Sequence, residues 1–162
     1  MEAASDFVCQ NNGFAEHTRY ENGTGCAQIS DRAAGYGMPG FTVDGNDPFE
    51  LYGYAHAAIE RARSGEGPTL LECTTFRFMG HVFGDADTYM TKEEKDAAIA
   101  KDPLPIYRQK LIDTGVATEE QLADLTTQTE AEVQDAIDFA MACEFPSVDE
   151  LRRDVFAEEI PA

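Results

Sequence analysis

Apolar positions in the first half of the chain fall into short runs separated by polar and glycine-containing segments. Three runs, over residues 7–9, 41–43 and 69–76, are rich in β-branched and other apolar residues and are bounded by turn-forming residues, which predicts three strands. The third run lacks a strict alternation of apolar and polar residues, as expected for a strand that is covered on both faces. The first half of the chain is therefore expected to contain a sheet.

The segment between the second and third strands has the clearest helical pattern. Asp47 is a candidate N-cap, Pro48 suits the first helical position, and Glu50 has the spacing of a capping box. Apolar residues then recur at helical spacing on one face: Leu51, Ala55, Ala58, Ile59 and Ala62. A strand, a helix and a strand in this order form a βαβ unit, so the expected fold class is α/β with parallel strands and flanking helices.

Two polar segments follow neither pattern. Residues 13–25 and 77–90 are rich in polar residues and contain several glycines, so both are predicted to be loops. A short helix is expected over residues 26–34, before Gly35 and Gly37.

Helices are predicted to dominate from about residue 91 to the end of the chain. Capping signals mark four helix starts: Thr91, Asp102, Thr118 and Ser147, the last of them before Phe156. The helix that begins at Thr118 carries apolar residues on an expected inner stripe: Leu122, Leu125, Val133, Ile137 and Phe139.

Charge and cysteine content narrow the class of protein. The net charge of −19, from 31 acidic and 12 basic residues, argues against nucleic acid and against an anionic membrane surface as partners. None of the four cysteines forms a CxxC pair, which gives a zinc site little support, and their wide spacing favours reduced thiols and a cytoplasmic location. No apolar run has the length of a membrane span, and residues 1–6 lack the pattern of a signal peptide.

The first predicted strand leads into an Asn11-Asn12-Gly13-Phe14 turn. Open α/β sheets bind ligands at the carboxyl ends of their strands. An asparagine amide and a backbone carbonyl are suitable neutral ligands for magnesium, which takes about six oxygens, often including phosphate oxygens. The alternative is that Asn-Asn-Gly is simply a turn without a ligand.

His81 is the candidate for proton transfer. It lies in the loop after the third strand, next to Gly80, and histidine suits proton transfer near neutral pH. The alternative is a loop histidine without a role. Asp85 and Asp87 could pair around a metal ion, but a solvated turn is the preferred interpretation. His17 receives no role.

Several collinear segments together resemble one family, the alpha subunit of the thiamine-diphosphate-dependent dehydrogenase component of 2-oxo acid and acetoin dehydrogenase complexes. Residues 8–15 (VCQNNGFA) are similar to the end of the family's thiamine-diphosphate motif, which begins with Gly-Asp-Gly and ends in Asn-Asn. The other matching segments follow in order: RAAGYGMPG at 32–40, VDGND at 43–47, GEGPTLLE at 65–72, FRFMGH at 76–81, DPLP at 102–105 and ELRRDVF at 150–156.

The resemblance implies an incomplete thiamine-diphosphate-binding domain over residues 1–162, with a helical part over about residues 91–162, corresponding to the C-terminal half of the subunit. It implies that the Asn12 side chain and the Phe14 carbonyl bind magnesium. It also implies that His81 lies near the reacting end of thiamine diphosphate, where it stabilises or protonates intermediates. The implied partners are a beta subunit and a lipoyl-bearing acyltransferase component.

The chain departs from the family pattern in two places. The Gly-Asp-Gly half of the motif, with its magnesium-binding aspartate, is not in the sequence, and Val82 stands where mammalian pyruvate-specific members carry a serine. The implied activity is oxidative decarboxylation of a 2-oxo acid such as pyruvate, or cleavage of acetoin, with acyl transfer to lipoyl groups. The alternative is a non-catalytic interaction module that keeps the subunit-contact surface without binding cofactor.

Overall fold

A computed structural model describes residues 5–153 of the chain. Contacts within the chain divide it into two compact units, residues 1–107 and residues 108–162. The first unit contains the five strands found among the described residues: β1 (Phe7–Asn11), β2 (Phe14–Ala15), β3 (Thr18–Arg19), β4 (Gly40–Asp44) and β5 (Leu70–Thr74). Its helices are α1 (Tyr20–Gly23), a 3₁₀ helix (Ile29–Tyr36), α2 (Pro48–Arg63) and α3 (Lys92–Ile99).

The three longer strands form one parallel sheet in the order β1-β5-β4. In its register, Glu72 of β5 lies between Cys9 of β1 and Thr42 of β4. The prediction of an α/β fold with these three strands in one parallel sheet is therefore confirmed.

The central strand β5 is covered on both faces, as its sequence predicts. Helix α2 packs on one face, where the buried core comprises Val43, Ala58, Leu71 and Cys73, with Leu51 and Ala55 against it. The 3₁₀ helix Ile29–Tyr36 contacts β4 and β5, and its Ser30 meets Glu72. β1 lies at one end of the described sheet, and its Phe7 and Val8 side chains are exposed.

Capping residues begin three helices where the sequence predicts them, whereas the predicted cap Ser147 makes no side-chain capping hydrogen bond. The Asp47 carboxylate accepts hydrogen bonds from the backbone of Phe49 and Glu50 at the start of α2. Thr91 and Thr118 each form a reciprocal capping box, at the starts of α3 and of α5 (Glu119–Ala142). The short helix expected over residues 26–34 is instead the 3₁₀ helix Ile29–Tyr36.

The prediction of a loop over residues 13–25 is wrong, because β2 and β3 form a small antiparallel hairpin there and α1 follows it. Glu16 and His17 make the turn, and Glu16 adopts φ 53, a left-handed conformation that few residues other than glycine take. The hairpin has little strand character of its own. The Phe14 ring holds it in place by packing edge-on against Phe76 and Tyr89.

Helix α4 (Pro103–Asp113) runs from the first unit into the second, which also contains α5 and a 3₁₀ helix (Val148–Arg152). The predicted inner stripe of α5 is not buried: Leu125, Val133, Ile137 and Phe139 are all exposed. Helical periodicity identifies an apolar face but does not provide a surface to cover it. Phe156 lies outside the described residues, and within residues 5–153 no helix is both long and apolar enough to cross a membrane.

Candidate functional site

The carboxyl ends of the three parallel strands meet at one edge of the sheet. The backbone N–H of Thr75 donates to the Asn11 carbonyl over 2.9 Å, and the Gly45 N–H donates to the Thr74 carbonyl over 2.8 Å. Gly45 is required for this approach, because a Cβ there would lie 2.8 Å from the Thr75 side chain. In open α/β sheets this edge is where ligands bind.

Two consecutive asparagine turns shape the loop that follows β1. The Asn11 Oδ1 atom accepts from the Gly13 N–H over 2.9 Å, and the Asn12 Oδ1 atom accepts from the Phe14 N–H over 3.0 Å. Gly13 belongs to both turns and adopts φ 80, a conformation that lets the chain reverse its direction there. An amide oxygen has two lone pairs, so Asn12 Oδ1 can still accept one further ligand.

The oxygens of this loop fit part of a magnesium shell. Asn12 supplies an amide oxygen and Phe14 a backbone carbonyl, which are the neutral oxygen ligands that magnesium accepts. Among residues 5–153, no cluster of three or more histidine, cysteine, aspartate or glutamate side chains could hold a metal ion. The described residues therefore supply neutral oxygens but no carboxylate cluster.

His81 is exposed in the loop after β5, and Arg77 lies beside its ring. The distance between Arg77 Nη1 and His81 Nδ1 is 3.1 Å. A guanidinium group can only donate, so this contact requires Nδ1 to accept and assigns the imidazole proton to Nε2. In this geometry Arg77 orients the ring through Nδ1, and Nε2 carries the remaining N–H group.

Asp85 holds this loop together from within. Its Oδ2 atom accepts from the His81 N–H and from the Tyr89 hydroxyl, both over 2.7 Å, and its Oδ1 atom accepts from the Asp87 N–H over 2.8 Å. These hydrogen bonds, led by the one from the Asp87 backbone, hold the pKa of Asp85 far below its ordinary value. The carboxylate is therefore ionised wherever the protein is folded near neutral pH.

The expectation of a solvated turn at Asp85 and Asp87 is wrong. The Asp85 side chain is only 8% exposed, and the Asp87 carboxylate pairs with Lys95 of α3. Gly80 makes room for Asp85, since a Cβ on Gly80 would lie 2.6 Å from the Asp85 Cβ. The close approach of Asp85, and not a positive φ, explains the glycine at position 80.

His17 joins the site from the tip of the β2–β3 hairpin, although its sequence context gave no reason to assign it a role. Its Nε2 atom lies 3.3 Å from Asp85 Oδ2, and its ring is perpendicular to the His81 ring at 6.2 Å between centroids. The Arg77 Nη2 atom donates to the Glu16 carbonyl over 2.7 Å. The hairpin turn is therefore tied to the His81 loop at two points.

The Asn12 loop and the His81 loop are linked through Phe14. The Phe14 ring lies 5.5 Å from the Tyr89 ring, and the Arg77 guanidinium lies 5.8 Å above the Phe14 ring. These contacts bring the two candidate loops to one side of the unit, with Asn12 and His81 connected through intervening side chains. The sequence predicts roles for Asn12, Phe14 and His81, which stay predictions, and it did not point to Arg77, Tyr89 and His17, which connect the two loops.

A cleft of about 490 Å³ opens beside this region, at the carboxyl ends of β4 and β5. The cleft is lined by the ends of these strands, by the residues after them, by α3 and by the residue two positions beyond α3: Asp44, Asn46, Thr74, Thr75, Phe76, Glu94 and Lys101. Neither Asn12 nor His81 contributes to its walls. The cleft is therefore adjacent to the two candidate loops and separate from them.

Comparison with known proteins places this arrangement in a family. The sequence profile of the dehydrogenase E1 component matches residues 3–149. The chain is 41% identical over 151 residues to the alpha subunit of acetoin:2,6-dichlorophenolindophenol oxidoreductase from Bacillus subtilis (strain 168), covering 93% of this chain and 45% of that protein. It is 44% identical over 135 residues to the 2-oxoisovalerate dehydrogenase subunit alpha of the same organism, covering 83% of this chain and 41% of that protein.

A third relative, the pyruvate dehydrogenase E1 component subunit alpha of Porphyra purpurea, is 34% identical over 152 residues, covering 94% of this chain and 44% of that protein. The chain thus spans less than half the length of the relatives that it matches. The profile match covers most of the sequence and includes the Asn12 and His81 loops. The chain therefore belongs to the dehydrogenase E1 component family and is related to its alpha subunits.

Proposed function

We propose that this chain forms part of the alpha subunit of a thiamine-diphosphate-dependent dehydrogenase. Its reaction is the oxidative decarboxylation of a 2-oxo acid such as pyruvate, or the cleavage of acetoin, with acyl transfer to lipoyl groups. The observation that carries the proposal is the connection of the Asn12 loop to the His81 loop through Phe14, Arg77 and Asp85. The proposed partners are a beta subunit and a lipoyl-bearing acyltransferase component.

Each loop has a separate task in this proposal. The Asn12 amide oxygen and the Phe14 carbonyl would hold the magnesium ion of the cofactor. Thiamine diphosphate, when bound, supplies the carbon nucleophile for the substrate carbonyl. His81 presents the Nε2–H group to the reacting oxygen, where it donates a proton or a hydrogen bond.

Two residues keep His81 ready for this task. Arg77 occupies Nδ1 and so fixes the tautomer, while the Asp85 carboxylate fixes the backbone at His81. Both contacts come from side chains of the same loop, so the protein itself orients the imidazole. Such preorganisation lowers the cost of reaching the reactive geometry.

A non-catalytic interaction module is the second candidate. The described residues offer the metal two neutral oxygens and no cluster of carboxylates, which weakens binding of a cation by this chain alone. In that case the chain keeps a subunit-contact surface, and the exposed apolar side chains of Phe7 and Val8 on the edge strand belong to it.

The two candidates are separated by variants in the full alpha–beta assembly. His81→Ala is expected to lower turnover with an artificial electron acceptor by about a hundredfold to ten-thousandfold while leaving cofactor affinity nearly intact. Asn12→Ala is expected to weaken magnesium and cofactor binding first. His56→Ala, an exposed histidine beside Tyr52 on α2, is the matched control and should change neither. Near-normal turnover of His81→Ala at saturating cofactor would refute the catalytic role.

A further inference from the structure

Glu72 is a buried carboxylate at the centre of the sheet that the proposed reaction does not use. It is 1% exposed and lies on β5 between the two edge strands. Its Oε1 atom accepts from Asn11 Nδ2 over 2.7 Å. Its Oε2 atom accepts from the Ser30 N–H over 2.9 Å and from the Thr42 hydroxyl over 3.0 Å.

The partners of Glu72 are neutral donors, and together they keep it ionised. Burial raises the pKa of Glu72, but hydrogen bonds from the Ser30 backbone, the Asn11 amide, the Ile29 backbone and the Thr42 hydroxyl outweigh burial and lower it below its ordinary value. Taking a charge out of water is costly, and well-packed apolar side chains often replace buried ionic groups without loss of stability. Stability alone therefore does not explain a carboxylate at this position.

The carboxylate does control the orientation of one neighbouring side chain. An ionised carboxylate can only accept, so the Asn11 amide must turn its Nδ2 group toward Glu72. This leaves Asn11 Oδ1 facing the Gly13 N–H, 2.9 Å away, and closes the first asparagine turn. Asn12 lies inside that turn.

We propose that Glu72 is a positioning residue for the loop that presents Asn12 and Phe14. It fixes the Asn11 amide through Oε1, and the resulting turn sets the path of the backbone through Asn12. The consequence for a metal ion rests on the proposed role of Asn12, whereas the consequence for the turn does not. A purely structural role would act instead through Oε2, which ties the start of the 3₁₀ helix Ile29–Tyr36 to β5.

Glu72→Gln distinguishes the two roles because an amide presents one acceptor and one donor. If the oxygen of the introduced amide continues to serve Ser30 and Thr42, its NH₂ group faces Asn11 Nδ2, and two donors oppose each other. Asn11 then flips to offer its oxygen to the new side chain, which turns its own NH₂ group toward the Gly13 N–H. The first asparagine turn is lost, although the sheet and its helices remain.

A second substitution is expected to restore the turn. In the double variant Glu72→Gln with Asn11→Asp, the glutamine NH₂ group donates to one aspartate oxygen, and the other aspartate oxygen accepts from the Gly13 N–H. The hydrogen bonds to Ser30 and Thr42 also remain. The exchange reverses the donor and acceptor of one hydrogen bond and leaves the net charge unchanged.

The direct measurement is hydrogen exchange of the Gly13 amide by NMR, on the 162-residue chain without metal or cofactor. Glu72→Gln is expected to accelerate this exchange by about tenfold, the effect of losing one hydrogen bond. The double variant should return it to the original rate. Thr42→Val is the control, because it removes a contact of Oε2 and should lower the melting temperature without changing exchange at Gly13.

An unchanged Gly13 exchange rate in Glu72→Gln, or equal acceleration in Thr42→Val, would overturn the positioning role. If Glu72→Gln prevents folding, the double variant Glu72→Gln with Asn11→Asp becomes the test. A double variant that folds but does not protect the Gly13 amide from exchange would also overturn the positioning role. In the alpha–beta assembly, Glu72→Gln should also weaken magnesium affinity about tenfold, with recovery in the double variant. If Asn12→Ala leaves magnesium affinity unchanged, the proposed function fails. If Asn12→Ala weakens magnesium binding but Glu72→Gln does not, Glu72 does not position Asn12 for the metal.

Discussion

The backbone N–H of His81 donates a 2.7 Å hydrogen bond to Asp85 Oδ2. The same oxygen accepts from the Tyr89 hydroxyl and lies 3.3 Å from His17 Nε2. Three groups from the hairpin tip and the loop after β5 thus converge on one carboxylate oxygen. His81 is therefore held through its backbone by Asp85 and through its ring by Arg77.

Asp85→Asn should disorganise the His81 loop. Each carboxylate oxygen accepts from a backbone N–H group, of His81 or of Asp87, so an NH₂ group in place of either oxygen would face a donor. In the proposed alpha–beta assembly we expect turnover to fall by about tenfold to a hundredfold, because displacing a group with the role proposed for His81 costs rates of this order. Asp87→Asn is the control, because it weakens the pair with Lys95 but keeps all three contacts of Asp85 Oδ2. Equal turnover in both variants would show that Asp85 does not position His81.

Gly80→Ala tests the space beside Asp85. The new Cβ would lie 2.6 Å from the Asp85 Cβ, so the loop must shift, at a cost of about 1–3 kcal/mol in the free energy of unfolding. Gly53→Ala in α2 meets no atom within 4 Å and should instead stabilise the chain by about 0.5–1 kcal/mol. Urea unfolding of both variants measures these opposite effects, and a stable Gly80→Ala would show that Asp85 can move freely.

The ion pair between Arg19 and Glu94 should make stability depend on acid pH. The hydrogen bond from Arg19, assisted by Thr91, lowers the pKa of Glu94 from 4.5 to about 2. A lowered pKa in the folded state stabilises the fold above pH 4.5, and this contribution is lost as the pH falls from 4.5 toward 2. The difference in urea midpoint between wild type and Glu94→Gln should therefore be largest near neutral pH and shrink below pH 4.5.

A control for this pH effect is the neighbouring exposed residue Glu93. Glu93→Gln removes the same charge from the first turn of α3 without removing the Arg19 pair. Its effect on the urea midpoint should be smaller than that of Glu94→Gln at neutral pH. A Glu94→Gln difference that stays constant between neutral pH and pH 2 would contradict the assigned pKa.

The 162-residue chain alone should bind thiamine diphosphate poorly. Its described residues offer a metal two neutral oxygens at Asn12 and Phe14, and the net charge of −19 repels a diphosphate. Titration calorimetry with cofactor and magnesium is expected to give no heat of binding at micromolar concentrations. Micromolar affinity would mean that the residues in hand form a more complete site than the one proposed.

The sheet and the helix starts could be predicted from the sequence because they depend on local signals. The strand runs, the Asp47 cap and the capping boxes at Thr91 and Thr118 are patterns within a few residues, and the structure contains all of them. The β2–β3 hairpin could not be predicted from the sequence. Its strands are two residues long, and its turn depends on Glu16 in a left-handed conformation that residue type does not signal.

The candidate site likewise contains residues that the sequence pointed to and residues that it did not. Asn12 and His81 stand out because their residue types and their positions after strands suggest chemistry. His17, Arg77 and Tyr89 join them only through contacts between the hairpin and the loop after β5, which the misassigned segment over residues 13–25 concealed. Glu72 was hidden differently, because a single acidic residue in an apolar strand does not indicate which donors surround it.

The order of strands in the sheet has a consequence for biosynthesis. Phe7 pairs with Leu70 and Gly40 also pairs with Leu70, so within residues 5–153 the strand that β1 and β4 both pair with is β5, which leaves the ribosome after them. Such non-local pairing slows folding and leaves nascent strands open to chaperones or to aggregation. The Asn12 turn gains its Glu72 contact only at that late step, so emergence of β5 sets the moment at which this edge of the protein becomes ordered.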